Sequence, residues 1–198
     1  RGDVTLMEDV EAATAAARER FHRIDGVIHA AGAPGEGAAL DGAPADRLKV
    51  LAPKMAGAIH LDQFTQSDDL DCFVLFSSVA SVLGAAGQAD YAFANGCLDR
   101  FAVWRTEMAR RGLRRGRTVS INWPLWRNGG MRPGAATVSW MREALGMLPM
   151  GDADGLRAFE DALRFGGPQV VALHGHPEAI REALAAPSRQ EARTERPR

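Results

Sequence analysis

The pattern of apolar and polar positions along this chain changes period several times, and each change marks an element. MEDVEAATAAARERFHR is rich in Ala, Glu and Arg, with Val10, Ala13 and Ala17 near helical spacing, which predicts a helix from about Leu6 to Arg23. DGVIHAAG follows, a short β-branched run ending in small residues, and predicts a buried strand and a tight turn. Pro44 starts a second predicted helix, with Leu48, Leu51, Met55, Ile59 and Leu61 on or near one face. DCFVLFSS is apolar without alternation, as expected of a parallel strand covered on both sides. QADYAFANGCLDRFAVWRTEMARR reads as a long amphipathic helix, and RTVSINW and PQVVALHG as two more strands. Helices and strands alternate, which predicts an α/β fold on a parallel sheet.

The periodicity breaks between Pro124 and Met150, where Gly, Pro, Met and Trp mix. Such a segment after a strand suits a substrate lid, and a covering loop with a short helix fits equally. Met131, Met141, Met147 and Met150, with Trp126 and Trp140, either line a tunnel under the lid or form its core. The end of the chain, REALAAPSRQEARTERPR, is charged and short of large apolar residues after Leu184. Residues 1–186 are expected to form one organised unit and 187–198 a linker-like tail. Arg stands at position 1 and a strand-like phrase comes almost at once, as if the chain were cut from something longer.

Composition narrows the field. The 198 residues suffice for one domain with a real core, and 46% apolar with 25% charged residues is ordinary for a soluble globular protein. A net charge of -1 gives no reason to expect nucleic acid or an anionic membrane as partner. No apolar run approaches a membrane span and no signal-peptide pattern opens the chain. Cys72 and Cys97 are isolated thiols, which fits a reducing cytoplasm and makes no metal site. His174 and His176 lack further ligand-type neighbours and read as a strand exit; His29 reads as packing at a strand end and Cys97 as helix packing. Arg110, Arg111, Arg114, Arg115 and Arg117 read first as a helix C-terminus closed by Gly112, and second as a docking patch for an acidic partner.

Three predicted strands end in small or polar residues: HAAG, SSVAS and NWPLW. In an open parallel sheet, ligands bind beyond such carboxyl ends. Ser78 lies just past its strand, and Tyr91 lies thirteen residues on, in the first turn of the next helix. The Gly- and Ala-rich loop ASVLGAAGQ between them can fold back and bring the two hydroxyls together. Asn95 follows Tyr91 by four residues and shares its helix face. This set suits carbonyl reduction: Tyr91 donates a proton, Ser78 fixes the carbonyl oxygen, and Asn95 holds a water or a lysine. A phenol with a pKa of about 10 needs help, and a nearby lysine cation would favour the phenolate. The chain has two lysines, Lys49 and Lys54. On the residues alone, Lys54 reads first as a helix-surface charge and second as the site cation.

Taken together, GVIHAAG, LAPKMAGAIHL, FVLFSSVASVLGAAGQADYAFANGCLD and SINWPLWRNGGM resemble the ketoreductase domain of modular polyketide synthases, within the short-chain dehydrogenase/reductase superfamily. The last two phrases look most like ketoreductases of trans-acyltransferase assembly lines. The resemblance runs from GDVT to about Gly175 and implies a Rossmann-like, doubly wound parallel sheet, here N-terminally truncated. It implies a catalytic tetrad of Lys54, Ser78, Tyr91 and Asn95. Most short-chain dehydrogenases place the lysine four residues after the tyrosine, where this chain has Asn95; polyketide ketoreductases exchange the Lys and the Asn. It implies NADPH as hydride donor, with Asp3 and Val4 lining the adenine, Ala30, Ala31 and Gly32 passing the ribose, and Asn122, Trp123 and Pro124 beside the nicotinamide. The implied substrate is a β-ketoacyl thioester on the phosphopantetheine of an acyl carrier protein, entering near a lid at about 124–150. The other domains of the synthase are the further implied partners, with no nucleic acid, membrane or metal.

Two features depart from the family pattern. The Gly-rich phosphate loop and its strand are absent; Gly32, Gly35 and Gly37 follow the wrong strand and do not read GxGxxG. The isolated chain is therefore expected to bind cofactor poorly, and a catalytically incompetent fragment with a scaffold role is the main alternative. A free-standing short-chain reductase is the other. One ketoreductase class carries an Asp where this chain has Glu36, and the other a Trp where it has Leu83. The carboxylate of Glu36 leans toward the first class and a D-configured alcohol.

Overall fold

The computed structural model describes residues 2–33, 44–85, 87–131 and 133–185. Helix α1 (Met7–Phe21) leads to strand β1 (Gly26–His29), α2 (Pro44–Phe64) and β2 (Cys72–Ser78). A short α3 (Ala80–Leu83) and the long α4 (Ala89–Arg110) precede β3 (Arg117–Trp123). Then come α5 (Ala135–Leu145), α6 (Asp152–Arg164), β4 (Gln169–Val171) and α7 (Pro177–Ala185). The described residues fall into two compact units: those up to Trp123 together with Leu156–Ala172, and Pro124–Gly155 together with those from Leu173 on.

The first unit is built on a four-stranded sheet in the order β1-β2-β3-β4, with all three pairings parallel. Parallel neighbours need a crossover between them, and α2, α4 and α6 serve as those crossovers. Successive side chains of β2 face opposite sides. Phe73 and Leu75 join Val27, Ala58, Leu70, Leu98 and Ala102 in the core. Phe76 meets Trp123 and Phe159 of α6, with ring centroids 5.3 and 6.3 Å away. Both faces are thus covered, which explains the unbroken apolar run read from the sequence. Each fully buried side chain of the size of Phe73 or Leu75 contributes about 2 kcal/mol.

A buried ion network, not visible in the sequence pattern, joins α2, α4 and β3. Asp62 accepts hydrogen bonds from Nε of Arg105 and Nε of Arg114. Arg105 is fully buried; it also donates to Thr118 Oγ1 and the Arg115 carbonyl and lies 4.3 Å over the Phe73 ring. The basic run around RRGLRRGR therefore divides. Arg114 is held at Asp62, and Arg117 donates to the carbonyls of Leu163 and Ala162. Arg110 and Arg111 pair with Glu107 on the surface, and Gly112 follows the helix with φ +75°.

In the second unit, Trp126 and Met150 form a parallel bridge, and Met147 and Gly175 an antiparallel one. Trp126 lies against Gly155, where an added Cβ would fall 2.1 Å from the ring. Met147 and Met150 are buried, whereas Met131 and Trp140 are exposed. His174 faces Asp154 at 3.9 Å. Among the described residues, no group of three or more His, Cys, Asp or Glu could hold a metal ion. None of the helices is long and apolar enough to cross a membrane, again among the described residues.

The structure corrects some local expectations. The first helix is shorter than Leu6–Arg23 because His22 adopts a left-handed φ of 68° and closes it. Ser78 is the last residue of β2, paired opposite Trp123, and does not lie beyond the strand. The stretch after it is no plain loop: Val82 and Leu83 donate to the Val79 carbonyl and open α3.

Candidate active site

Strand β2 carries Ser78 to the carboxyl end of the sheet, and α4 carries Tyr91 in its first turn and Asn95 one turn later. The Tyr91 phenol hydrogen-bonds the side chains of Ser78 and Asn95. Ser78 Oγ also accepts from the Ala80 amide at 3.2 Å, so α3 fixes its orientation. Asn95 Nδ2 donates to the Tyr91 carbonyl at 2.8 Å, and the Asn95 carbonyl accepts from Ser77 Oγ at 3.1 Å. Asn95 Oδ1 is buried and has no hydrogen-bond partner.

Lys54 comes from α2 and is not a surface charge: it is 4% exposed. Its Nζ donates to the Phe76 carbonyl at 2.9 Å, two residues before Ser78. Burial lowers its pKa to about 8, while the Asp99 carboxylate opposes that shift. The ammonium is therefore largely charged at neutral pH and poised to lose its proton just above it.

The phenol differs from expectation. The sequence implies a lysine-lowered pKa for Tyr91, but burial is the larger influence and raises it above its ordinary value. The hydrogen bonds of Ser78 and Asn95 pull it back only in part. The physical reason is burial: Tyr91 is packed in the interior, where the charged phenolate is disfavoured.

His29 and Gly32 adjoin Lys54. His29 is buried, and its Nε2 lies 3.1 Å from the Lys54 carbonyl, with burial lowering its pKa to about 4. The neutral ring donates there and ties β1 to the α2 turn that carries Lys54. An added Cβ on Gly57 would fall 2.8 Å from His29 Cε1 and 2.9 Å from Val4, so only glycine leaves that space. Gly32 lies against the Lys54 side chain: a Cβ there would be 3.1 Å from Cε and 3.2 Å from Nζ.

Asp3 accepts from the backbone N–H and hydroxyl of Thr5, which holds its carboxyl below the usual range. The Val4 carbonyl lies 3.1 Å from His60 Nδ1, anchoring that turn to α2. Ala30 is exposed and Ala31 half-buried, just beyond β1. Trp123 packs on Phe76, and Pro124 opens the second unit. Asn122 turns its side chain into the interior: Nδ2 lies within 3.2 Å of Ser77 Oγ, the Ser78 carbonyl, Ser81 Oγ and both Asp99 oxygens. Its Oδ1 accepts from Gln169. Leu83 ends α3, and Glu36 lies outside the described residues.

Sequence reasoning missed Asp99. It lies eight residues after Tyr91 and four after Asn95, on the same face of α4, and is 5% exposed. Its oxygens are 2.6 Å from Ser81 Oγ and 2.6 Å from Ser120 Oγ. The available signal was an acid embedded in an apolar helix face at the spacing of Tyr91 and Asn95.

The chain is similar to known proteins over most of its length. The KR domain family model matches residues 1–128. The chain is 37% identical over 182 residues to the polyketide synthase PksN of Bacillus subtilis (strain 168), covering 92% of this chain and 3% of the synthase. It is 40% identical over 185 residues to the polyketide synthase ThaG of Burkholderia thailandensis, covering 93% of this chain and 3% of that protein. A ketoreductase domain from the bacillaene assembly line superposes with a TM-score of 0.88 at 37% identity, over 92% of this chain and 44% of that one. An N-terminal ketoreductase from the macrolactin assembly line gives 0.80 at 33%, over 92% of this chain and 35% of that one. A short-chain dehydrogenase from Streptomyces avermitilis, at 16% identity and a TM-score of 0.73, shares the fold, covering 98% of this chain and 75% of that one. The sheet is Rossmann-like, and the chain belongs to the KR domain family, the ketoreductase domains of polyketide synthases.

Proposed function

We propose that this chain carries the proton-delivery side of an NADPH-dependent reduction of a β-ketoacyl thioester, borne by an acyl carrier protein, to the β-hydroxyacyl thioester. The observation that carries the reading is the Tyr91 phenol hydrogen-bonded to Ser78, with the buried Lys54 ammonium bonded to the strand that ends in Ser78. Reduction adds a hydride to the carbonyl carbon and a proton to its oxygen. When bound, NADPH supplies the hydride; this chain's residues manage the oxygen and the proton.

Ser78 Oγ, fixed by the Ala80 amide, orients the ketone oxygen. Tyr91 donates the proton; its raised pKa keeps the proton in place until negative charge builds on the oxygen. Lys54, with a pKa of about 8, can return a proton to the site near neutral pH. Asn95 Oδ1, a buried acceptor without a partner, gives that relay an oxygen to pass through. The residues suit the cofactor. The space beside Gly32 opens onto Lys54, and Ala30, Ala31 and Gly32 would hold the ribose, with Asp3 and Val4 toward the adenine. Asn122 can support the nicotinamide end through its strand, its side chain being engaged beneath it.

The test is NADPH oxidation by the full-length protein with a short β-ketoacyl thioester, free and loaded on a carrier protein. Turnover that rises with carrier loading supports the reading. Turnover on simple alcohols or ketones without preference for the thioester would point to a general short-chain reductase, and no turnover to a scaffold.

A further inference from the structure

The helix that carries the proton donor also carries a buried carboxylate that the mechanism above leaves unused. We propose that Asp99 is a positioning residue of the reduction: its carboxylate locks the Ser78 turn to the Tyr91 helix and supplies the buried negative charge that acts on Lys54. The proposal rests on the tetrad reading of Lys54, Ser78, Tyr91 and Asn95.

The geometry is specific. One Asp99 oxygen lies 2.6 Å from Ser81 Oγ, and that hydroxyl lies 2.9 Å from the Ser78 carbonyl. The other lies 2.6 Å from Ser120 Oγ on β3. Asn122 Nδ2 bridges the set, 2.9 and 3.0 Å from the two oxygens and 3.2 Å from the Ser78 carbonyl. Three elements therefore meet at one carboxylate: α4, the start of α3 and the end of β3. A neutral amide could not accept from two hydroxyls and an amide donor at once. Charge-assisted bonds at these lengths fix a turn more firmly than neutral ones.

The charge has a second consequence. Among ionisable groups on elements packed against Lys54, β1 offers His29, neutral above about pH 4, and α4 offers Tyr91 and Asp99. The nearby helix α1 directs Arg18 to Asp68, beyond the end of α2. Strand β2 offers Cys72 at its far end, its thiol pushed up by burial. Asp99 is the group that favours the Lys54 ammonium against burial.

The experiment is the pH profile of kcat/KM for β-ketoacyl thioester reduction by the full-length protein and its Asp99→Asn and Asp99→Glu variants. The alkaline limb of the native enzyme is expected near the Lys54 pKa of about 8. In Asp99→Asn it moves to lower pH by about one unit, the size of a lost opposite charge. The variant's kcat also falls by about 10²-fold, as expected of a displaced catalytic hydroxyl, with KM little changed. Asp99→Glu keeps the limb in place. An Asp99→Asn profile that is lower everywhere but unmoved along the pH axis overturns the proposal. Should Asp99→Asn not fold, Asp99→Ser retains a small polar group there and must shift the limb in the same direction, or the proposal fails. Lys54→Met separates the two readings. Unchanged turnover in it removes the tetrad, and Asp99's role with it; lost turnover beside an unmoved Asp99→Asn limb removes Asp99 alone.

Discussion

Lys54 donates from Nζ to the Phe76 carbonyl at 2.9 Å, which joins the helix before β2 to the strand that delivers Ser78. A single ammonium therefore sits inside the fold at the point where the hydroxyl pair forms.

That placement opposes stability. Burial lowers the Lys54 pKa from 10.5 to about 8, so between these values the folded chain binds fewer protons than the unfolded one and gains stability as pH rises. Below pH 8 the penalty is present in full. Lys54→Met is expected to stabilise the protein at pH 7 by about 1–3 kcal/mol while abolishing reduction. Urea unfolding at pH 7, compared with native, checks this; a destabilised Lys54→Met protein would show that the bond to Phe76 outweighs the buried charge.

His29 sets an acid limit. Its pKa falls from 6.5 to about 4 on folding, so the unfolded chain takes up a proton that the folded one refuses in that window. The stability tied to the neutral ring is complete above pH 6.5 and is lost as pH falls toward 4, by about 3 kcal/mol. His29→Gln, which keeps a donor but does not titrate, should show a flatter pH dependence than native in denaturant titrations.

Asp62 holds two guanidinium groups, one of them fully buried. Asp62→Ala leaves Arg105 charged and uncompensated inside the first unit, and should destabilise by about 3–5 kcal/mol. Calorimetry would read this as a large drop in Tm; a drop no greater than that of a surface carboxylate would contradict the network's role.

Gly32 is exposed, yet a Cβ there presses on Lys54 Cε and Nζ at 3.1 and 3.2 Å. Gly32→Val should lower turnover at least 10-fold with Tm almost unchanged, since what moves is the ammonium. Equal losses of Tm and turnover would assign Gly32 to the fold instead.

Much of this was legible in the sequence because it lies in periodicity. The unbroken run CFVLF announced a strand covered on both faces, and the four-residue step from Tyr91 to Asn95 announced one helix face. What escaped depends on contacts between elements distant in the chain. Arg105 and Asp62 are 43 residues apart, and Asn122 and Asp99 are 23 apart. A buried acid or guanidinium carries no pattern of its own; its neighbours in space decide whether it is solvated or paired. The phenol's raised pKa escaped for the same reason, since burial depends on the assembled helices.

The measurement closest to the central claim compares native full-length protein with Tyr91→Phe for NADPH oxidation on a β-ketoacyl thioester, with cofactor binding followed in parallel. Turnover should fall by about 10²–10⁴-fold with binding retained, because only the proton donor is removed. Turnover within a few-fold of native in Tyr91→Phe would contradict that claim.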